Sequence, residues 1–230
     1  MKNHSLRSEL NEYLRSTHVI DSDHPRIIRF ANSIAAHETT DIARAVALYY
    51  AVRDGIRYDP YSVDLSVAGL RASDTLARKR GFCIPKAVLL AAAARAMRIP
   101  SRLGFADVKN HLATERLLHM MHTDLFVFHG YTELYLSGRW VKATPAFNES
   151  LCQQLKLEPL AFDGRNDSVF QPIGPDGKQF IQYVTDRGTF ADVPIQEIQA
   201  AFEEHYPSLM DAGGYCIRGS FEDEAAAQGR

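Results

Sequence analysis

The run Ala87-Val88-Leu89-Leu90-Ala91-Ala92-Ala93-Ala94 is a strong helix former with no polar side, so it can fold only as a helix closed in from every direction. The rest of the chain must wrap it. Pro85 suits a first helical turn, where its missing N–H costs nothing, and Pro100 stops the chain soon after Met97. The residues leading in, Arg80-Gly81-Phe82-Cys83-Ile84-Pro85-Lys86, deliver a thiol to the helix start. Unpaired N–H groups and the positive end of the helix dipole there favour a thiolate and lower its pKa. A free cysteine is also commonly a small buried hydrophobe, so Cys83 alone does not decide between nucleophile and core.

Composition bounds the alternatives. A chain of 230 residues with 46% hydrophobic and 10% aromatic content can bury a real core. We find no internal repeat and no domain linker. The expected organisation is one domain over residues 1–210 and an unstructured tail over 211–230, which carries glycines and an Ala/Glu-rich end. A net charge of -2 with no long basic run argues against nucleic acid or an anionic membrane as partner. Arg78-Lys79-Arg80, the densest basic patch, reads as a solvated helix end. No stretch supplies the ~20 apolar residues that cross a bilayer, and the N-terminus lacks an apolar signal core, so a cytoplasmic location is the default expectation. Cys83, Cys152 and Cys216 form no CxxC pair, and His111, His119 and His122 match no ligand spacing. Neither a disulfide framework, a metal nor a cofactor is expected.

Residues 6–58 read as three helices, the third opening at Thr39-Thr40-Asp41, burying Ile42, Val46, Tyr49, Tyr50 and Val52, and ending at Gly55. A short extended piece holds Tyr58. Ser73-Asp74 caps a helix that Gly81 breaks. Beyond the apolar helix, residues 101–106 read as a strand and 107–123 as a surface excursion or lid. The aromatic and branched stretch 124–136 is a long strand, Ser137-Gly138 a two-residue turn, and 139–144 its partner. A helical patch through Leu151 and Leu155, a loop from 158 to 177, a strand over 179–184 and an amphipathic helix over 194–202 complete the reading.

A two-residue turn at Ser137-Gly138 sets the pairing so that Tyr131 lies opposite Thr144. His129 then shares a face with Thr144 as a diagonal neighbour, and Glu133 lies on that face too. Such a histidine is either a hydrogen-bonded core residue or a general base. A cysteine at a helix start and a histidine on a strand need to meet only in space to form a nucleophile and its base.

Gly81-x-Cys83 before a buried helix, followed by His129-Gly130-Tyr131 on a strand, Gly138-Arg139-Trp140 at a turn and Thr144-Pro145, resembles the core of the transglutaminase-like cysteine enzymes. Ile56-Arg57-Tyr58-Asp59, the Thr75-Leu76 helix and the stretch from Arg98 to Phe105 are similar too, so the resemblance spans about residues 43–145. It implies a papain-like α+β fold, with N-terminal helices packed on an antiparallel sheet. It further implies that Cys83 attacks an amide carbonyl, with His129 as base and later acid and the Cys83 N–H helping to bind the oxyanion. Tyr58 stands where the family often has an aromatic near the site. The family usually carries an aspartate where this chain has Thr144, whose hydroxyl brings no negative charge to the imidazole. Asn148 is a second candidate to orient His129, and Glu133 a more distant one. The expected substrate is a peptide or other amide, with release to water ahead of transfer to an amine; the competing reading is a binding protein with a degenerate site. Oligomeric state is not legible.

Overall fold

The computed structural model describes residues 10–170, 180–210 and 214–228. The expected first helix lies largely outside them; what is described there is a single turn at Glu12–Leu14. Helix α1 (Pro25–Ala35) opens with proline at its first position, and α2 (Asp41–Gly55) opens on Thr40, whose hydroxyl accepts the Ala43 N–H at 3.1 Å. The buried face of α2 is Ala45, Leu48, Tyr49 and Val52, rotated from the expected stripe. Ile42 and Val46 instead meet the loop at Gly164, and so are only partly buried.

Next come β1 (Arg57–Tyr58), β2 (Ser62–Asp64), α3 (Val67–Leu70), α4 (Ala72–Arg78) and β3 (Arg80–Gly81), with β1 and β3 pairing in parallel. The apolar helix is α5 (Cys83–Ala96), and it is enclosed as its composition demands: every residue from Ile84 to Arg95 is buried. Helices α1, α2 and α4 and the main sheet all pack against it. Its two buried cations bond to backbone. Lys86 Nζ donates to the carbonyls of Arg53, at 2.9 Å, and Ile56, where α2 ends. Arg95 donates to the carbonyls of Arg15, Ser101 and Ala191. Both satisfy carbonyls at or beside the ends of helices and strands.

The main sheet is antiparallel with order β6-β5-β4-β7, built from β4 (Ser101–Asn110), β5 (Leu125–Leu136), β6 (Arg139–Ala143) and β7 (Ile181–Phe190). Ser137 (φ 49°) and Gly138 (φ 86°) form the expected tight turn, and Thr132 pairs with Ala143, the register read from the turn. The stretch 107–123, expected as a surface excursion or lid, finishes β4 and forms α6 (Glu115–Met121), with Leu117 and Met121 buried. Helices α7 (Glu149–Gln154) and α8 (Ile195–His205) follow.

The expectation of an unstructured tail is corrected. Residues 214–216 form β8 (Gly214–Cys216), which pairs with β2, and 221–228 form α9 (Phe221–Gln228). Order comes from burial of Ile217, Phe221 and Ala225 against the body of the protein. The architecture is α+β, helices on an antiparallel sheet.

Candidate active site

Cys83 is the first residue of α5, reached from Phe82 in extended conformation. The β1–β3 ladder sets Tyr58 beside Gly81, and the Asp59 N–H donates to the Gly81 carbonyl at 3.1 Å. On the other side the helix start presses on β5 at Gly130. A Cβ there would sit 3.2 Å from the Ile84 Cα, so a larger residue would push the helix off the strand. Gly130 follows His129 directly, so this close approach brings thiol and imidazole to one place.

Cys83, His129 and Tyr58 line a single cavity of about 40 Å³, walled also by Phe82, Val127, Phe202, Tyr206 and Tyr215. Tyr206 is fixed there by donating to the Leu125 carbonyl at 3.0 Å and accepting the Val127 N–H at 2.7 Å. The sequence reading placed none of Phe202, Tyr206 and Tyr215 at the site, since each arrives from far along the chain.

Burial governs the charges. It pushes the Cys83 thiol up to about 11, against the opposing pull of the backbone N–H groups of Gly130, Ile84 and Cys83 itself. The helix-start argument for a thiolate named a real effect with the smaller magnitude. Burial also lowers His129 to about 4 and raises the Tyr58 phenol well above its ordinary value. At neutral pH the cavity therefore holds a thiol and a neutral imidazole.

His129 Nε2 is buried and has no hydrogen-bond partner among the described residues. Thr144 does not line the Cys83 cavity; its N–H donates to Ser168 and its carbonyl accepts the Tyr49 hydroxyl. Asn148 is occupied as well. Its Oδ1 accepts the Tyr58 N–H at 2.9 Å and its Nδ2 donates to Ser150 at 2.7 Å, so it positions Tyr58. Glu133 is paired with Arg102 at 2.6 Å. What meets the imidazole is Phe170, with ring centroids 5.9 Å apart. His119 and His122 lie 6.0 Å apart, and the described residues contain no group of three or more side chains able to hold a metal.

The strand is irregular just before His129. Phe128 has φ 52°, a left-handed conformation costly for an aromatic residue, and the β4–β5 register shifts at Asp107. Asp107, buried, accepts the Phe128 N–H at 3.0 Å and grips Arg187 through both carboxylate oxygens, while the guanidinium stacks 4.9 Å from the Phe128 ring. Asp107 thus fixes the bulge that aims His129. Asp107→Ala should slow acylation of Cys83 at least tenfold in a single-turnover assay, whereas Asp107→Asn, which keeps an acceptor for the Phe128 N–H, should retain most of the rate.

Comparison with known proteins follows the same outline. A family model described as the transglutaminase-like superfamily matches residues 28–145. Among solved structures, the fold is similar to a candidate cysteine protease from Cytophaga hutchinsonii, with a TM-score of 0.50 and 17% identity over 80% of this chain and 47% of that one. This chain spans about half the length of that protein. A weaker likeness is to a candidate protease from Parabacteroides distasonis, with a TM-score of 0.39 and 14% identity over 59% of this chain and 25% of that one. No curated protein matches the chain. The matched family region covers more than half of the 230 residues and contains the buried helix, the thiol, the strand histidine and the hairpin that returns through Thr144. The chain therefore belongs to the transglutaminase-like superfamily.

Proposed function

We propose that this protein is a thiol acyl-transfer enzyme acting on peptide or other amide bonds, a peptidase or amidase in preference to a crosslinking enzyme. The observation that carries the reading is that Cys83 at a helix start and His129 on a strand line one cavity, with main-chain N–H groups directed at the sulfur. Because both groups are neutral at pH 7, the sulfur attacks the carbonyl carbon while its proton passes to the imidazole. Backbone N–H groups of Cys83, Ile84 and Gly130 stabilise the oxyanion. Collapse breaks the carbon–nitrogen bond, the imidazolium returns its proton to the departing amine, and the acyl group is left as a Cys83 thioester. Water, giving its proton to His129, then adds to the thioester carbonyl; the carbon–sulfur bond breaks, the acid leaves, and the imidazolium returns the proton to the Cys83 sulfur. A peptidase needs no metal or cofactor for these steps.

The test is to quench the protein with acid during incubation with a peptide mixture and to map acyl adducts by mass. An adduct on Cys83 in the wild type, absent in Cys83→Ala and at least a hundredfold slower to form in His129→Ala, supports the reading. Peptide binding with no adduct and no cleavage would leave a binding protein on an enzyme fold.

A further inference from the structure

A cavity of about 40 Å³ is large enough for a water molecule and far too small for a peptide side chain. Cys83 keeps some exposure to solvent, but a peptide cannot seat against it in so small a space until one of the walls moves. Val127 and His129 belong to the central sheet; Phe202 lies on α8, which packs on β5, and Tyr206, directly after α8, bonds to that strand through its hydroxyl; Met121, buried at the end of α6, is a further wall. Tyr215 is held differently. It sits on β8, whose ladder with β2 is three residues long and is extended by the Ile217 N–H on the Tyr61 carbonyl. Behind it, α9 is pinned by side chains. Phe221 packs on Tyr58 and Tyr61, Glu222 accepts from Ser150, and Glu224 pairs with Arg116 and accepts from Tyr61 and Thr114.

We infer that residues 214–228 are an autoinhibitory strap, whose Tyr215 closes the Cys83 cavity and whose release from β2 admits the substrate. The inference rests on Cys83 being the reacting group and concerns how that group is regulated. A short ladder with side-chain clasps at its far end can open as a unit, at the cost of exposing Ile217, Phe221 and Ala225, while the main sheet and α5 keep their own pairing and packing.

The strap can be released or locked by single substitutions. Gly214 has φ +156°, and a Cβ there would lie 1.9 Å from the Val63 carbonyl oxygen, so Gly214→Ala cannot keep the ladder. Ser62 faces Cys216 directly across the strands. The Ile217 N–H bond to Tyr61 makes the neighbouring pair the hydrogen-bonded one, so Ser62 and Cys216 form a non-hydrogen-bonded pair, the close spacing that suits a disulfide. Ser62→Cys should therefore bond to the native Cys216 when oxidised.

The readout is the rate of Cys83 alkylation by iodoacetamide at pH 8.5, mapped by mass on full-length protein, with peptide cleavage measured in parallel. Gly214→Ala should raise the rate at least tenfold, and Ser62→Cys should lower it at least tenfold when oxidised and restore it on reduction. If Gly214→Ala does not fold, Arg116→Ala, which removes the Glu224 ion pair and leaves the ladder intact, should give a smaller rise of about threefold. Wild-type rates in the release variant and in the locked protein would overturn the strap. Altered alkylation without cleavage in any variant would sink the enzymatic reading and leave the strap standing; cleavage with unaltered alkylation would do the reverse.

Discussion

Thr144→Asp is expected to raise the rate of Cys83 acylation at least tenfold and to raise the imidazole pKa from its low value. The reasoning starts from the orphaned Nε2 of His129. A buried imidazole with no acceptor must gather charge unaided when it takes the thiol proton, and burial alone has already driven it down to about 4. A carboxylate beside it would stabilise the imidazolium and fix the ring, which is the service the third residue performs in such triads. Position 144 is where it can be supplied: β6 ends at Ala143, paired with Thr132, and carrying that register one residue on, where the Thr144 N–H turns to Ser168, sets position 144 across from Tyr131 and diagonal to His129. A single-turnover rate measured from pH 5 to 9 tests this: the gain should be full at and above neutrality and smallest at the acid end, where the raised pKa leaves the imidazole already protonated and unable to take the thiol proton. A flat response, with the protein as stable as before, would mean that the carboxylate does not reach the ring and that something other than this position governs the histidine.

Lys86→Met should destabilise the protein by about 2–4 kcal/mol, the cost of leaving buried carbonyls unpaired. The methionine would fill much of the space while removing the donor that holds the Arg53 and Ile56 carbonyls at the end of α2. The pH dependence gives a second signature. Burial lowers Lys86 to about 7, so between pH 7 and its ordinary value near 10.5 the unfolded chain binds the extra proton and the folded one does not. Stability from this site therefore rises with pH across that window, by at most about 1.4 kcal/mol per pH unit, and is least below pH 7. Urea unfolding at pH 7 and pH 9 should show the wild-type advantage over Lys86→Met widening; the interval ends at 9 because the Cys83 thiol, raised to about 11, pulls the other way above it.

What could be read from the residues was whatever local pattern controls. The enclosed helix followed from an apolar run with proline in its first turn, and the hairpin register from a two-residue turn that admits little else. That Cys83 and His129 would line one cavity was legible only through resemblance, since residues 46 positions apart carry no local sign of contact. The ionisation of Cys83 went the other way from the local rule because of burial in a cavity whose walls, Tyr58, Met121, Tyr206 and Tyr215 among them, come from separate parts of the chain. Asp107 and Arg187 could not be found either, being 80 residues apart and joined only by the bulge they stabilise. The ordered tail escaped for a similar reason: Phe221 has meaning only once Tyr58 and Tyr61 are in place.

The outermost strand, β7, pairs with β4 alone among the described residues, and Tyr183 and Val184 stand well out into solvent on it. Ten residues of open rim would ordinarily invite another chain to stack alongside. Here the ladder slips twice near its middle, and Gly188 at φ +86° bends the strand beside the charged Asp186 and Arg187. The same distortion that aims an imidazole on one side of the sheet therefore blunts its margin on the other, leaving two short crooked lengths where a straight template for aggregation would have been.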